Sequence, residues 1–461
     1  MTVNHEKHRN PDPDLQDRRD FMKLGALAAT AAGAGLAGCK MTREQAAGPA
    51  PEKPFSAPPM ERVRIGFVGV GGMGSHHVSN LLKIEGAEIH AVCDIVEEKV
   101  RRIQKRVVDA GQPEPVGYWR GDWDFVRMCE TEDLDLVYTA TPWRWHVPVC
   151  VAAMKNGKHA ATEVPAAVTI DECWELVETS EKLKKHCVMM ENCCYGRSEM
   201  LVLNMVRQGL FGEVIYAEAG YLHDLRNLKF TPAGEGLWRT DHSIHRDGNL
   251  YPTHGLGPVA QCMNVNRGDR FEFLVSMSTK SRGLNLFAEK KFGPDDPRAL
   301  RKYALGDINT SLIRTHNGCV ITLVHDCSAP RPYSRINMVQ GTAGIFSGYP
   351  DRIHIEGRSP AHQWEDPDQY FEEFDHPLWK AEGGRARGRG HGGMDYIENY
   401  RLIQCLMKGL PLDMDVYDAA AWSVVSELTE RSVADKSRPV DFPDFTRGRW
   451  KTREPLGIVE V

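Results

Sequence analysis

Val63-Arg64-Ile65-Gly66-Phe67-Val68-Gly69-Val70-Gly71-Gly72-Met73-Gly74 is the stretch that decides the fold. As far as Val70 it is a β-rich apolar run, as a strand buried on both faces should be. The glycines follow at once and open a helix through Leu81 and Leu82. In this setting Gly69 allows a tight turn, Gly71 lets the backbone approach a pyrophosphate, and Gly74 lets helix and strand pack closely. The helix N-terminus then offers the positive end of its dipole to the phosphates. A second strand, residues 88 to 93, ends in Asp94, 20 residues beyond Gly74. An acid there grips the ribose hydroxyls and repels a 2′-phosphate. Strand, glycines, helix, strand and acid stand in register, so the expected cofactor is NAD rather than NADP.

The alternation continues downstream. Residues 134 to 141 read as a strand running into Pro142-Trp143-Arg144-Trp145-His146. A helix over 147–156 stops at Gly157, and 159–162 is a strand that ends at Glu163-Val164-Pro165. Thr169 and Glu172 form a capping box for a helix through Lys185. Residues 187 to 191 form a last strand, followed by Asn192. The fold class is α/β: a Rossmann doubly wound parallel sheet over residues 61–192. Ligands of such sheets sit at the carboxyl ends of the strands. Trp143, His146, Glu163 and Asn192 all fall there and are expected to line the nicotinamide side of the cleft. Beyond Tyr195, a helix over 198–208 and strands at 214–222, 271–277, 311–316 and 319–325 follow. His316-Asn317-Gly318 is a hairpin signal. Few parallel crossovers are available, so residues 193–461 are expected to form an α+β domain with a largely antiparallel open sheet. Helices near 396–407 and 419–431 close the chain. Lys380 to Met394 reads as a Gly-rich loop or lid.

The N-terminus has a different character. Arg18-Arg19-Asp20-Phe21-Met22-Lys23 precedes an apolar run from Leu24 to Gly38. That run is shorter than the ~20 residues a bilayer span needs. It suits a signal h-region, and the paired arginines favour the Tat route. Leu36-Ala37-Gly38-Cys39 has the form of a lipoprotein cleavage box, with Cys39 as the lipidated residue. Residues 1–39 are thus expected to be a signal, and the Pro-rich residues 40–60 a disordered tether. The expected location is periplasmic or at the cell surface, held to the membrane by the lipid. A net charge of −6 argues against a nucleic-acid partner. Of the 12 cysteines, those outside the lipid box, such as Cys93, Cys150 and Cys187, read as small hydrophobes left reduced by cytoplasmic folding. No spacing of the metal-binding CxxC type occurs, and His242-Ser243-Ile244-His245 reads as a hydrogen-bonding pair. No metal is expected.

Glu163-Val164-Pro165 after a Rossmann unit resembles the Gfo/Idh/MocA oxidoreductases, which usually carry Glu-Lys-Pro there. The lysine of that motif assists proton removal from an alcohol, and Val164 cannot. The second half resembles glycoside hydrolase family 109. The motifs are Trp238-Arg239, the run from Asn249 through Tyr251-Pro252-Thr253-His254 to Pro258, Asn264 to Arg270, Arg282 to Asn285, Pro330 to Arg335 and Gly390 to Asp395. The resemblance spans residues 60 to 450. It implies an NAD-dependent α-N-acetylgalactosaminidase that does not consume its cofactor, with a homodimer as a further family-style expectation. It implies NAD contacts at Gly72, Met73, Asp94, Trp143, His146, Glu163, Val164 and Asn192. It implies a sugar site of Tyr221, Arg239, Tyr251, Pro252, Thr253, His254 and Tyr333, with Tyr195 as a base near C2.

The chemistry that follows differs from the usual pair of carboxylates. Oxidation at C3 acidifies the C2 hydrogen. A base removes it, the C1 substituent leaves, water adds, and C3 is reduced again. His254 is the expected base for the C3 hydroxyl. Tyr251 is expected to orient that hydroxyl or relay its proton. Such a cycle ends with NAD⁺, which suits an exported enzyme with no cofactor supply outside. The alternatives are an exported NAD(P)-dependent sugar oxidoreductase and a sugar-binding lipoprotein that keeps NAD as structure.

Overall fold

The computed structural model describes residues 54–457. The leader, Cys39 and most of the expected tether lie outside the described residues. Residues 54–60, expected in the tether, are instead seated on the body of the fold. Ala57 is buried, Phe55 lies against His186, and the Met60 N–H donates to the Met407 carbonyl at 3.2 Å. The apolar side chains that punctuate this Pro-rich stretch supply the reason.

Six parallel strands make the first sheet: β1 (Val63–Val68), β2 (Ala87–Cys93), β3 (Val116–Tyr118), β4 (Leu136–Thr139), β5 (His159–Thr162) and β6 (Cys187–Met189). Their order is β3-β2-β1-β4-β5-β6, reversing at β1. This is the doubly wound sheet expected from the alternation, and its switch point lies where the glycines follow β1. Gly69 takes a φ of +81°, which leads the chain into helix Gly72–Leu81. A Cβ on Gly74 would lie 1.9 Å from the Gly69 carbonyl oxygen, so the helix rests on the turn as closely as backbone allows. The Thr169–Glu172 capping box is present and starts helix Ile170–Leu183. β3 and helices Glu97–Asp109 and Asp124–Thr131 also belong to this unit.

The second sheet has eight strands in the order β13-β12-β11-β7-β10-β9-β8-β14. They are β7 (Val214–Leu222), β8 (Phe271–Ser278), β9 (Ile308–Thr315), β10 (Val320–Asp326), β11 (Met338–Gly341), β12 (Gly344–Ser347), β13 (Arg352–Ile355) and β14 (Val440–Asp441). The sheet is antiparallel except for the β7–β10 pair. Helices Thr253–Cys262 and Val425–Ala434 pack on one face, against β7 and β8 respectively. On the other face Thr310, Leu312 and Arg314 of β9 are exposed while Asn309, Ser311 and Ile313 are buried. Helix Met394–Lys408 returns to pack on helix Gly72–Leu81. Val416–Ser423 packs on Ile170–Leu183. One continuous apolar core therefore runs from the first sheet into the second.

His254 lies in the first turn of helix Thr253–Cys262. The glycines of that helix serve contact, for a Cβ on Gly255 would lie 2.3 Å from the Gly220 nitrogen of β7. The stretch 380–394, expected as a loop or lid, is not an open loop. It contains helix Pro377–Ala386 and a short 3-10 turn, His391–Gly393. The eleven described cysteines are free, and all but Cys319 are buried. No helix among the described residues is long and apolar enough to cross a membrane.

Candidate functional site

The carboxyl ends of β1, β2, β4, β5 and β6 present the residues expected there. Asp94, at the end of β2, accepts from the Val70 N–H at 3.0 Å and the Val96 N–H at 3.0 Å. It thereby holds the glycine turn in place as well as standing at the ribose position. Gly72 has nothing within 4 Å of a built Cβ, and Gly71 has only the Lys99 Nζ, at 3.9 Å. This open cradle at an uncapped helix N-terminus fits a dinucleotide pyrophosphate. Met73 lies in the first turn of the same helix. Glu163 binds the His77 Nε2 at 2.7 Å and receives the Val164 N–H at 3.1 Å. Burial alone would raise this carboxyl, and those bonds hold it below its ordinary value. Val164 is buried beside it.

His146 is buried, its ring nitrogens 2.7 Å from the Pro165 carbonyl and 2.8 Å from that of Thr141. It joins the turns after β4 and β5 and lies beneath the cleft surface rather than on it. Trp143 is placed toward the second half. Its ring packs on Trp238 at 4.9 Å, His242 at 4.8 Å and Tyr251 at 5.8 Å. The Arg239 guanidinium lies over Trp238 at 4.3 Å and reaches Trp143 and Tyr251 at 5.5 and 5.7 Å. Its Nε donates to Glu235 at 2.6 Å.

The expected sugar residues form one aromatic wall. Tyr221, near the end of β7, contacts Tyr251 at 4.4 Å, His254 at 5.4 Å and Tyr333 at 6.2 Å between ring centroids. Burial pushes the Tyr221 and Tyr251 phenols up, so both stay protonated as donors. Pro252 precedes the helix and Thr253 is its first, buried residue. Tyr333 remains 38% exposed at the rim, where Arg335 donates to its hydroxyl at 3.2 Å.

His254 has a partner that the sequence did not disclose. Its Nδ1 lies 2.7 Å from Glu191 Oε1, and Glu191 is wholly buried. A carboxylate on Nδ1 fixes the tautomer and leaves Nε2 for a substrate hydroxyl. Glu191 Oε2 has no hydrogen-bond partner among the described residues. Cys193 Sγ, Glu191 and His254 offer three ligand atoms within 4.8 Å. Burial holds the Cys193 thiol protonated, and it donates to Asn192 Oδ1 at 3.4 Å. The arrangement is thus an acid–base dyad beside a neutral thiol. Asn192 Nδ2 in turn donates to Asp395 Oδ1 at 2.6 Å.

Tyr195 is not brought to this wall. Its hydroxyl donates to Asp413 Oδ2 at 3.1 Å, beside Arg401, Leu402 and Cys405. Residues 192–195 form a 3-10 turn, so neighbouring side chains diverge. Cys193 faces His254, and Tyr195 faces helix Met394–Lys408. The expectation of a C2 base at Tyr195 is therefore corrected: a buried phenol already bonded to a carboxylate is neither free nor acidic enough.

Comparison with known proteins agrees with this geometry. Residues 63–191 match the oxidoreductase family model for an NAD-binding Rossmann fold. Residues 195–452 match the model of the glycosyl hydrolase 109 C-terminal domain. A glycosyl hydrolase family 109 protein of Solibacter usitatus is 51% identical over 446 residues, 96% of this chain and 100% of its own. One from Shewanella pealeana is 46% identical over 456 residues, 96% and 99% of the two chains. The crystal structure of an NAD binding oxidoreductase from Klebsiella pneumoniae shares the fold, with a TM-score of 0.66 at 16% identity over 83% of this chain and 99% of that one. So does scyllo-inositol dehydrogenase from Lactobacillus casei with NAD(H) and scyllo-inositol bound, at a TM-score of 0.59 and 14% identity, covering 83% and 99%. Fold and site together define an enzyme that binds NAD at the switch point of a Rossmann sheet. The chain belongs to glycosyl hydrolase family 109.

Proposed function

We propose that the protein hydrolyses terminal α-N-acetylgalactosaminides with retention, and that it keeps its NAD through each turnover. The observation that carries this reading is the Glu191–His254 dyad, set in a wall of Tyr221, Tyr251 and Trp143 beside the turn that follows β6. NAD, when bound, supplies the hydride acceptor and later the hydride donor for C3 of the sugar. His254 Nε2 takes the C3 hydroxyl proton and returns it when C3 is reduced. Glu191 holds the ring and stabilises the imidazolium between those two moments. Tyr251, kept protonated, donates to the C3 oxygen. Arg239 and Tyr333 bind polar groups of the ring. The ketone makes the C2 hydrogen removable, after which the C1 substituent leaves and water replaces it.

The missing lysine at Val164 fits a base on the other side of the cleft, at His254. It weighs against an enzyme that releases its reduced cofactor each turn. The twin-arginine leader and Cys39 support export and lipid anchoring of the mature chain. The half-apolar outer face of the second sheet, with Leu312 46% and Met277 65% exposed, supports a homodimer through that face. The purified holoenzyme, with no NAD added, is incubated in deuterated water with a chromogenic α-N-acetylgalactosaminide. Hydrolysis with deuterium at C2 of the released sugar is the expected result. Accumulation of NADH without hydrolysis would point to the oxidoreductase instead.

A further inference from the structure

A cavity beside the aromatic wall has no part in the chemistry proposed above. Tyr221, Tyr251 and Arg239 line it, and it encloses about 290 Å³ between its atoms, part of it open to solvent. Two further polar side chains face it: Lys229, the last residue of helix Arg226–Lys229, and His325, near the end of β10. Both are buried. Among the described residues the Lys229 Nζ donates to Ser328 Oγ alone, at 3.4 Å. The buried His325 Nδ1 has no hydrogen-bond partner among them. A buried ammonium with one long hydrogen bond, beside a buried imidazole nitrogen with none, is costly unless a polar group enters to meet them.

We propose that this cavity receives the acetyl group on the C2 nitrogen of the sugar, with Lys229 and His325 donating to its carbonyl oxygen and Leu225 and Leu250 packing on its methyl. The inference rests on the reading in the preceding subsection. Tyr221 and Tyr251 line both the sugar wall and the cavity, so a substituent of a ring held on that wall reaches the cavity directly. Tyr251 is assigned to the C3 oxygen, which leaves the groups at C2 and C4 as its neighbours. Only the C2 group carries both a polar oxygen and an apolar methyl, the two features that N–H donors set among leucines recognise. In a neutral imidazole Nδ1 can carry the proton, and an ammonium has three to give. Both residues act on binding and leave the reacting atoms to His254 and Tyr251.

The charges around the cavity fit a neutral occupant. Burial, with the Lys229 charge adding to it, holds His325 down to about 3, so its ring is neutral. Burial also lowers Lys229, against the pull of Cys327, Asp326 and Asp307. Arg239, the other cation on the cavity, is engaged by Glu235 at 2.6 Å. One weakly paired ammonium beside a neutral imidazole and leucine side chains suits an amide oxygen rather than an ion. A C2 hydroxyl stops short of the cavity and leaves both donors unmet. The site therefore penalises galactose against N-acetylgalactosamine, as a pocket built to hydrogen-bond one group rejects the analogue that lacks it.

The test measures binding of N-acetylgalactosamine and of galactose to the holoenzyme by calorimetry, in the unaltered protein, in Lys229→Met and in His325→Leu. The unaltered enzyme should prefer N-acetylgalactosamine by about 100-fold. Each variant should cut that preference about tenfold, with galactose binding held within about threefold and bound NAD unchanged. His325→Gln, which returns a donor to the cavity, should recover part of the preference. Lys229→Met keeps the length of the side chain and removes a poorly paired buried charge, so its melting temperature should not fall. An equal loss on both sugars, or a preference unmoved in both variants, overturns the assignment. Equal binding of the two sugars by the unaltered enzyme overturns it as well. If that enzyme also fails to cut an α-N-acetylgalactosaminide, the reading in the preceding subsection has failed. If it cuts the glycoside and prefers N-acetylgalactosamine while the variants change nothing, the role of Lys229 and His325 alone fails.

Discussion

His254 has committed Nδ1 to Glu191, so Nε2 is the nitrogen left for a sugar hydroxyl. Glu191→Gln keeps the shape and an acceptor oxygen but removes the charge that balances an imidazolium. Its kcat should fall about 10- to 100-fold with KM nearly constant, whereas His254→Ala should lose about 100- to 10,000-fold. Steady-state kinetics decide, and a change confined to KM would contradict a role in the chemical step. Tyr195 gives the opposite expectation. Tyr195→Phe strips a donor from the buried Asp413, which should cost about 1–3 kcal/mol of stability. Turnover should stay within a few-fold, and a loss of a hundredfold at unchanged melting temperature would restore Tyr195 to the chemistry. Sequence similarity placed Tyr195 in the right motif. Motif identity does not carry side-chain direction across a 3-10 turn, where consecutive residues point apart.

At the scale of elements, the Rossmann half was legible because its signals are local. The turn, the glycines, the capping box and the acid lie within short stretches of chain, and each has one structural use. Gly71 and Gly74 separate cofactor binding from folding. A Cβ on Gly74 collides with the Gly69 carbonyl at 1.9 Å, while one on Gly71 meets nothing nearer than 3.9 Å. Gly74→Ala should therefore lower the melting temperature of the NAD-free protein. Gly71→Ala should leave it unchanged and abolish NAD retention, read by native mass spectrometry. Equal effects of the two variants would contradict this division. The second half was less legible. Its strands β11 to β13 are each four residues long, too short for alternation to show. Helix Thr253–Cys262 hides behind Gly255, Gly257 and Pro258, residues chosen for close packing on β7 and the Glu191 turn rather than for helix propensity.

Over the whole molecule, the pairs that make the site were invisible for one reason: they are distant in sequence. His254 and Glu191 are 63 residues apart, and Asn192 and Asp395 are 203 apart. Pattern reading names the residues and leaves the pairing to the fold. The same burial sets a pH dependence of stability. Burial holds His159 and His325 down to about 3, and His186, His242 and His376 down to about 4. In the unfolded chain these rings take up protons near pH ~6.5. Between about pH 4 and pH 6.5 the unfolded state therefore binds more protons, and stability rises with pH. His76 and His391 act in the other sense. Asp395 raises both, so their contribution is present below their unfolded pKa and is lost as pH rises through the folded one. Burial also lowers His146 and His223, and seven against two among the described histidines gives a net gain in melting temperature from about pH 4.5 to about pH 7. A flat or falling profile would contradict that balance.

The most direct measurement of the central claim uses an α-N-acetylgalactosaminide deuterated at C3, turned over by the holoenzyme with no NAD supplied. The expected result is a primary isotope effect on turnover and released sugar that still carries its deuterium at C3. Hydrolysis with no isotope effect, at the same rate in protein stripped of NAD, would contradict it.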